Sequence, residues 1–130
     1  MSFLLYDYMN EHGLNEIKVW INDLQKKELA KLNSKLDMLH MHGDELIPST
    51  LSPTREPGIL KMRVHGSVQL RPLLCRGPIN ADAEYTLLLG AKEVGSVLRP
   101  KNADKLAVIR KDAVTLDPDN RRVLNERYAK

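Results

Sequence analysis

From Leu14 to His42 apolar residues recur at three- and four-residue steps, the period of one helix face. Leu14, Ile17, Trp20, Ile21 and Leu24 form one stripe, and Leu29, Leu32, Leu36 and Leu39 form a second. The polar run "QKKE" between the stripes predicts a tight link, so the two helices should lie antiparallel as a hairpin. Gly43 follows the second stripe as a C-terminal stop. The period then ends. In "GDELIPSTLSPTREPG", Pro48, Pro53 and Pro57 predict a loop with no continuous ladder of N–H donors.

Beyond this loop the period shortens to two, predicting strands over 59–65, 68–76 and 84–91. Leu60, Met62 and Val64 then share a face opposite Lys61, Arg63 and His65. In the next strand Leu70, Pro72 and Leu74 stand opposite Gln69, Arg71 and Cys75. The two apolar faces coincide only if Val64 lies opposite Leu70 or an even step away, which demands an odd-numbered connection with Gly66 free to take positive φ. A two-residue Gly-Ser turn would instead push Arg71 onto the apolar face, where an unpaired guanidinium is costly. The register therefore gathers Lys61, Arg63 and Arg71 on one surface. Like charges facing each other across strands destabilise a sheet unless an anion is to be bound. Arg76 has the other parity and reads as a strand-end solubiliser. After Pro100, the spacing of Ala103, Leu106, Ala107 and Ile109 or Arg110 predicts a helix, and Asp117 followed by Pro118 opens a last short one. The order predicts an α+β fold: an N-terminal helical hairpin packed on a small antiparallel sheet, followed by C-terminal helices.

The length of 130 residues fits one domain, 1–130, around a single core. The net charge of +3 conceals an asymmetry: before residue 55 eight acids face five lysines, and beyond it bases prevail, many of them arginine. Such a half suits a polyanion partner. Cys75 has no second cysteine to pair with, which fits a reducing, cytoplasmic setting and a buried structural thiol. "MSFLLYDYMN" lacks a basic leader, and no apolar run nears the ~20 residues of a membrane span, so no membrane partner is expected. His40 and His42 are two residues apart on a helix and point to different faces, so no metal is expected there. Tyr85 and Tyr128 read as packing residues, with a C-terminal substrate contact the alternative for Tyr128, and Glu84 and Glu93 lack the pattern of a carboxylate dyad.

"GILKMRV", then "VQLRPLL" and "EYTLLLGAKE", preceded by a helical hairpin carrying a tryptophan and "KLDML", resembles the RelE/ParE toxin superfamily, and is most similar to its phage-derived HigB-like branch. The likeness spans 16–93. It implies a twisted antiparallel sheet, ribosome-dependent cleavage of messenger RNA without a cofactor, and neutralisation by an antitoxin protein. Position by position, Lys61 and Arg63 match the basic pair of the first strand, Arg71 the arginine of the second, and Lys92 the cation after the last. Where relatives often carry an aromatic-rich "YRIFY", this chain has "LRPLL".

In that scheme the ribose 2′-OH attacks the adjacent phosphorus, and cations stabilise the charge that develops. Arg63 and Arg71 would clamp the phosphate, Lys61 would act as base, and Lys92 would serve the leaving oxygen. Lys61, Arg63, His65 and Arg71 would contact RNA, with His65 a solvent-facing hairpin residue more often than a catalytic one. Replacing Arg71 by Ala is then expected to abolish cleavage and spare folding. The rival reading is a non-catalytic module on the same fold, a gyrase-type inhibitor or a phage structural protein found in the virion.

Overall fold

The computed structural model describes residues 2–129. The chain opens with strand β1 (Leu4–Tyr8), followed by helices α1 (Glu16–Asn22) and α2 (Lys26–His42) and a 3-10 turn at Gly43–Leu46. Strands β2 (Leu51–Pro53), β3 (Leu60–Met62), β4 (Gln69–Leu70), β5 (Leu73–Arg76) and β6 (Glu84–Leu89) come next. A hairpin of β7 (Lys92–Val94) and β8 (Val97–Arg99) leads into α3 (Ala103–Leu116), α4 (Pro118–Arg121), β9 (Arg122–Leu124) and a last 3-10 turn at Glu126–Tyr128. One sheet has six strands in the order β2-β3-β5-β6-β1-β9, and a second joins β4, β7 and β8.

The α+β class is as the spacing predicted, with two corrections. The helical hairpin is not N-terminal, because β1 precedes it. Nor is the main sheet purely antiparallel, because β1 runs parallel to β6, pairing Leu5 with Tyr85 and Asp7 with Leu87. A parallel pair needs a long crossover, and the two helices belong to it. Both helices form within the two stripes, but α1 starts only at Glu16, so that Leu14 precedes it and is 48% exposed, and Ile17 is its one buried residue. Asn15 caps α1 by accepting from the Lys18 N–H at 2.9 Å. The run "QKKE" opens α2 rather than linking the helices, with Gln25 N–H donating to Glu28 Oε1 at 3.1 Å. Leu32, Leu36 and Leu39 are buried, each contributing about 1.5–3 kcal/mol against exposure.

Alternation along β1 sends Leu5 and Asp7 to one face and Tyr6 and Tyr8 to the other. The tyrosine face is lined by arginines: Arg122 stacks 3.7 Å from the Tyr6 ring centre, and Arg110, from α3, lies 4.7 Å from that of Tyr8. Arg122 Nη1 also donates to Glu84 Oε1 at 2.9 Å, in a pair whose side chains are 8% and 6% exposed. These contacts convert what "DPDNRRVLNERY" predicted as one helix into a single turn, α4, and the edge strand β9. The predicted loop over 43–58 likewise contains β2, with Pro53 at its end, paired to β3 from Leu51↔Met62 to Pro53↔Leu60.

The strand predicted over 68–76 breaks at Pro72, which has no N–H to give. Arg71 N–H instead donates to the Ala91 carbonyl at 2.8 Å, and there the chain passes from the small sheet to the large one. Cys75 is fully buried and free, its thiol pushed up to about 11 by burial, so it is a neutral packing group. Among the described residues no helix is long and apolar enough to cross a membrane.

Candidate nucleic-acid interface

The register of the cationic hairpin is the one its parity demanded: Leu60 pairs with Leu74, Lys61 with Leu73, and Val64 bridges Leu70. Lys61, Arg63 and Arg71 therefore leave the backbone on the same face. At Arg71, however, that face is covered. Strand β7 pairs with β4, placing Glu93 opposite Gln69, and the arginine is enclosed with its side chain 6% exposed. Its Nη1 donates to the Leu70 carbonyl at 2.8 Å, its Nη2 to Gln69 Oε1 at 3.3 Å, and its Nε lies 3.4 Å from Glu93 Oε1. The Arg71 guanidinium is thus committed to the fold. It is not a free phosphate clamp, and it positions its neighbours instead.

One of those neighbours is His65. Gln69 Oε1, which accepts from Arg71, lies 3.0 Å from His65 Nδ1. Gln69 Nε2 donates to the Gly66 carbonyl at 2.7 Å, which fixes Oε1 as the acceptor. In the neutral tautomer His65 Nδ1 therefore carries the proton and Nε2 the lone pair, on an exposed ring. Arg63 is half-buried and donates through Nη1 to the carbonyls of Pro48 at 3.1 Å and Ser49 at 3.3 Å, and its other guanidinium N–H groups make no hydrogen bond among the described residues.

Lys61 is half-buried and, among the described residues, has no carboxylate within ion-pair distance. It lines a cavity of about 360 Å³ with Arg55, β8 and the start of α3 at Asn102–Asp104. Lys92 stands apart from this group. It is exposed and lines a second cavity, of about 370 Å³, with Trp20, Arg99, Asp23 and Glu28. Strand β8 contributes to both cavities, so the β7–β8 hairpin is a ridge between two clefts, one holding Arg55 and Lys61 with Asp104 and the other Lys92 and Arg99 with Asp23 and Glu28. The Trp20 indole lies so close to Gly90 that a Cβ there would stand 2.0 Å from Cδ2.

Arg55, Arg99 and Trp20 were not among the residues the sequence singled out. Arg55 sits among prolines and Trp20 in an amphipathic stripe, and neither setting distinguishes a site. The signal for Arg99 was present: "KEVGSVLR" is a pair of short runs about Gly-Ser, and Gly95 and Ser96 take the positive φ values of 57° and 66° that a two-residue turn requires. Tyr85 and Tyr128 are packing residues as expected, their hydroxyls donating to Asp44 and Asp37. Arg76 is held by Asp44 at 2.8 Å. Among the described residues no cluster of His, Cys, Asp or Glu is placed to hold a metal ion.

Comparison of the chain with protein-family models, with curated proteins and with solved structures finds no match.

Proposed function

We propose that this is an RNA-cleaving toxin of the RelE/ParE kind, acting on messenger RNA at the ribosome in the cytoplasm and silenced by an antitoxin protein. The observation that carries this reading is the pair of clefts flanking β7–β8, which hold Lys61, Arg55, Lys92 and Arg99; among the described residues none of the four is within ion-pair distance of a carboxylate, although Asp104 lines one cleft and Asp23 and Glu28 the other. Single-stranded RNA is held by cations that follow its backbone and by aromatic rings beneath its bases. Trp20 beside Lys92 and Arg99 supplies that combination, which the aliphatic second strand lacks.

The chemistry is then shared differently from the motif-based assignment. His65 Nε2 takes the proton of the 2′-OH as that oxygen bonds to phosphorus, and the P–O5′ bond breaks with the 5′-oxygen taking a proton from water, leaving a 2′,3′-cyclic phosphate and a free 5′-OH. Lys61, which lines the cleft against β8 and not the cavity that His65 lines with Lys31, binds the RNA backbone away from the reacting phosphate. Arg63 binds the neighbouring phosphate through its uncommitted N–H groups, and Lys92 binds the strand in the second cleft. Arg71 holds Gln69, and through it the His65 tautomer.

A second reading, a non-catalytic module that binds through the same clefts, is favoured by the burial of Arg71. A ribosome-bound messenger RNA assay separates the two. Cleavage by the wild type, lost in Lys61→Met and His65→Gln proteins that melt normally, supports the toxin. RNA binding weakened by Lys61→Met but without cleavage supports the module. Neither cleavage nor binding would dismiss both.

A further inference from the structure

On the far side of β1 from the tyrosines, a cavity of about 340 Å³ opens between α1, α2 and the C-terminal turn, with Asp7 in its wall. Its charged residues other than Asp7 cancel locally. Lys18 Nζ meets Glu126 Oε1 at 2.6 Å, and Arg127 Nη2 meets Asp37 Oδ2 at 2.8 Å. Asp7 is left over. The residue is 2% exposed, and its carboxylate is met only by neutral amides: Asn15 Nδ2 at 3.0 Å from Oδ2 and Asn125 Nδ2 at 2.9 Å from Oδ1. Among the described residues no cation lies within ion-pair distance of it.

A buried carboxylate without a counter-ion is expensive, and a cavity beside it gives a cation room to approach. Two amide donors use one lone pair on each oxygen and leave a second on each. That remaining pair of acceptors, side by side, matches the two parallel N–H donors of a guanidinium better than the point charge of an ammonium. Ile21, Leu29 and Leu36 give the cavity an apolar wall suited to a short methylene chain. We propose that this cavity binds a small molecule bearing a guanidinium on an aliphatic chain, with Asp7 as its bidentate acceptor. Burial raises the affinity of Asp7 for its proton, in keeping with a site whose charged form awaits a cation.

The test is an NMR titration of the intact chain with agmatine, with putrescine as the same chain lacking a guanidinium, and with acetyl-Gly-Arg-Gly-amide. Agmatine is expected to saturate, shifting the side-chain amides of Asn15 and Asn125, while putrescine binds at least tenfold more weakly. Asp7→Asn should weaken agmatine at least tenfold in a protein that still melts cooperatively. Asn33→Trp, which fills the cavity with Asp7 untouched, should abolish binding and decides the matter if the Asp7 variant fails to fold. No saturation by about 10 mM agmatine, or equal binding of agmatine and putrescine, overturns the proposal. Tripeptide binding tighter than agmatine would overturn the small-molecule assignment and make the ligand an arginine of a protein partner.

Discussion

Arg71 Nε lies 3.4 Å from Glu93 Oε1 across the junction of the two sheets, with the arginine side chain 6% exposed and the glutamate 29%. Truncating the arginine would leave that glutamate and the Leu70 carbonyl without their partner and open a cavity. A fully buried pair broken on one side costs about 3–5 kcal/mol. With Glu93 partly in water, Arg71→Ala should cost about 2–3 kcal/mol. Chemical denaturation will show it, and in a Glu93→Gln background the loss should shrink. An Arg71→Ala protein as stable as wild type would contradict the pairing.

Binding to single-stranded RNA should be strongly salt-dependent, because each phosphate neutralised releases counterions. Lys61→Met and Arg99→Ala are each expected to reduce the slope of log K against log salt by about 0.7, whatever the sequence of the oligonucleotide. Glu126→Gln, in the C-terminal turn, should leave the slope unchanged. Fluorescence anisotropy across a salt series gives all three slopes.

Two aspartates should give opposite pH signatures. Burial, opposed by the amides of Asn15 and Asn125, holds the Asp7 pKa above its ordinary 3.8 in the folded state. Its contribution to stability is therefore complete below pH 3.8 and is lost as pH rises through the folded value. Hydrogen bonds from Arg127 and then Tyr128 hold Asp37 below 3.8, so its contribution is present above that pH and disappears as pH falls through the folded value. Asp37→Asn should remove loss on the acid side, by a few tenths of a kcal/mol because the pair is 45% exposed. Asp7→Asn should flatten the decline toward neutral pH. Thermal melts from pH 3 to 7 will separate them.

The residues explain why the fold was readable in places and hidden in others. The Val64–Leu70 register followed from parity alone, because a one-residue slip would have inverted every side chain. Yet parity names a face and cannot say what covers it. Arg71 was assigned to solvent because β7 and β8 were unseen, and those strands are only three residues each. Strand β1 was missed for another reason. Its buried residues Leu5 and Tyr8 lie on opposite faces, so no alternation shows, and Asp7 interrupts the apolar pattern, an acid whose place is made by Asn15 and Asn125. The same long-range contacts decide β9, where Glu84 and Tyr6 hold Arg122 in an extended segment against its local helical preference. Of the site, Lys61, Arg63 and His65 were legible as a basic strand. The Trp20–Arg99 cleft was not, since it assembles from α1, β7 and β8.

The contact between Trp20 and Gly90 joins that cleft to stability. A methyl group on residue 90 would stand 2.0 Å from Trp20 Cδ2, closer than any side chain can tolerate. The indole must then swing away from β6, losing its packing against the sheet and altering the cavity it shares with Lys92 and Arg99. Forcing an extra carbon into such a site costs about 1–3 kcal/mol, a drop of roughly 5–10 °C in Tm for about 2 kcal/mol. Gly90→Ala should show that drop together with a red-shifted emission, and Trp20 is the chain's one tryptophan, so the signal is unambiguous. In a Trp20→Leu background, where the smaller side chain can step aside, the same substitution should cost under half as much. If the penalty is the same in both backgrounds, backbone strain at residue 90 is responsible and the ring contact is not.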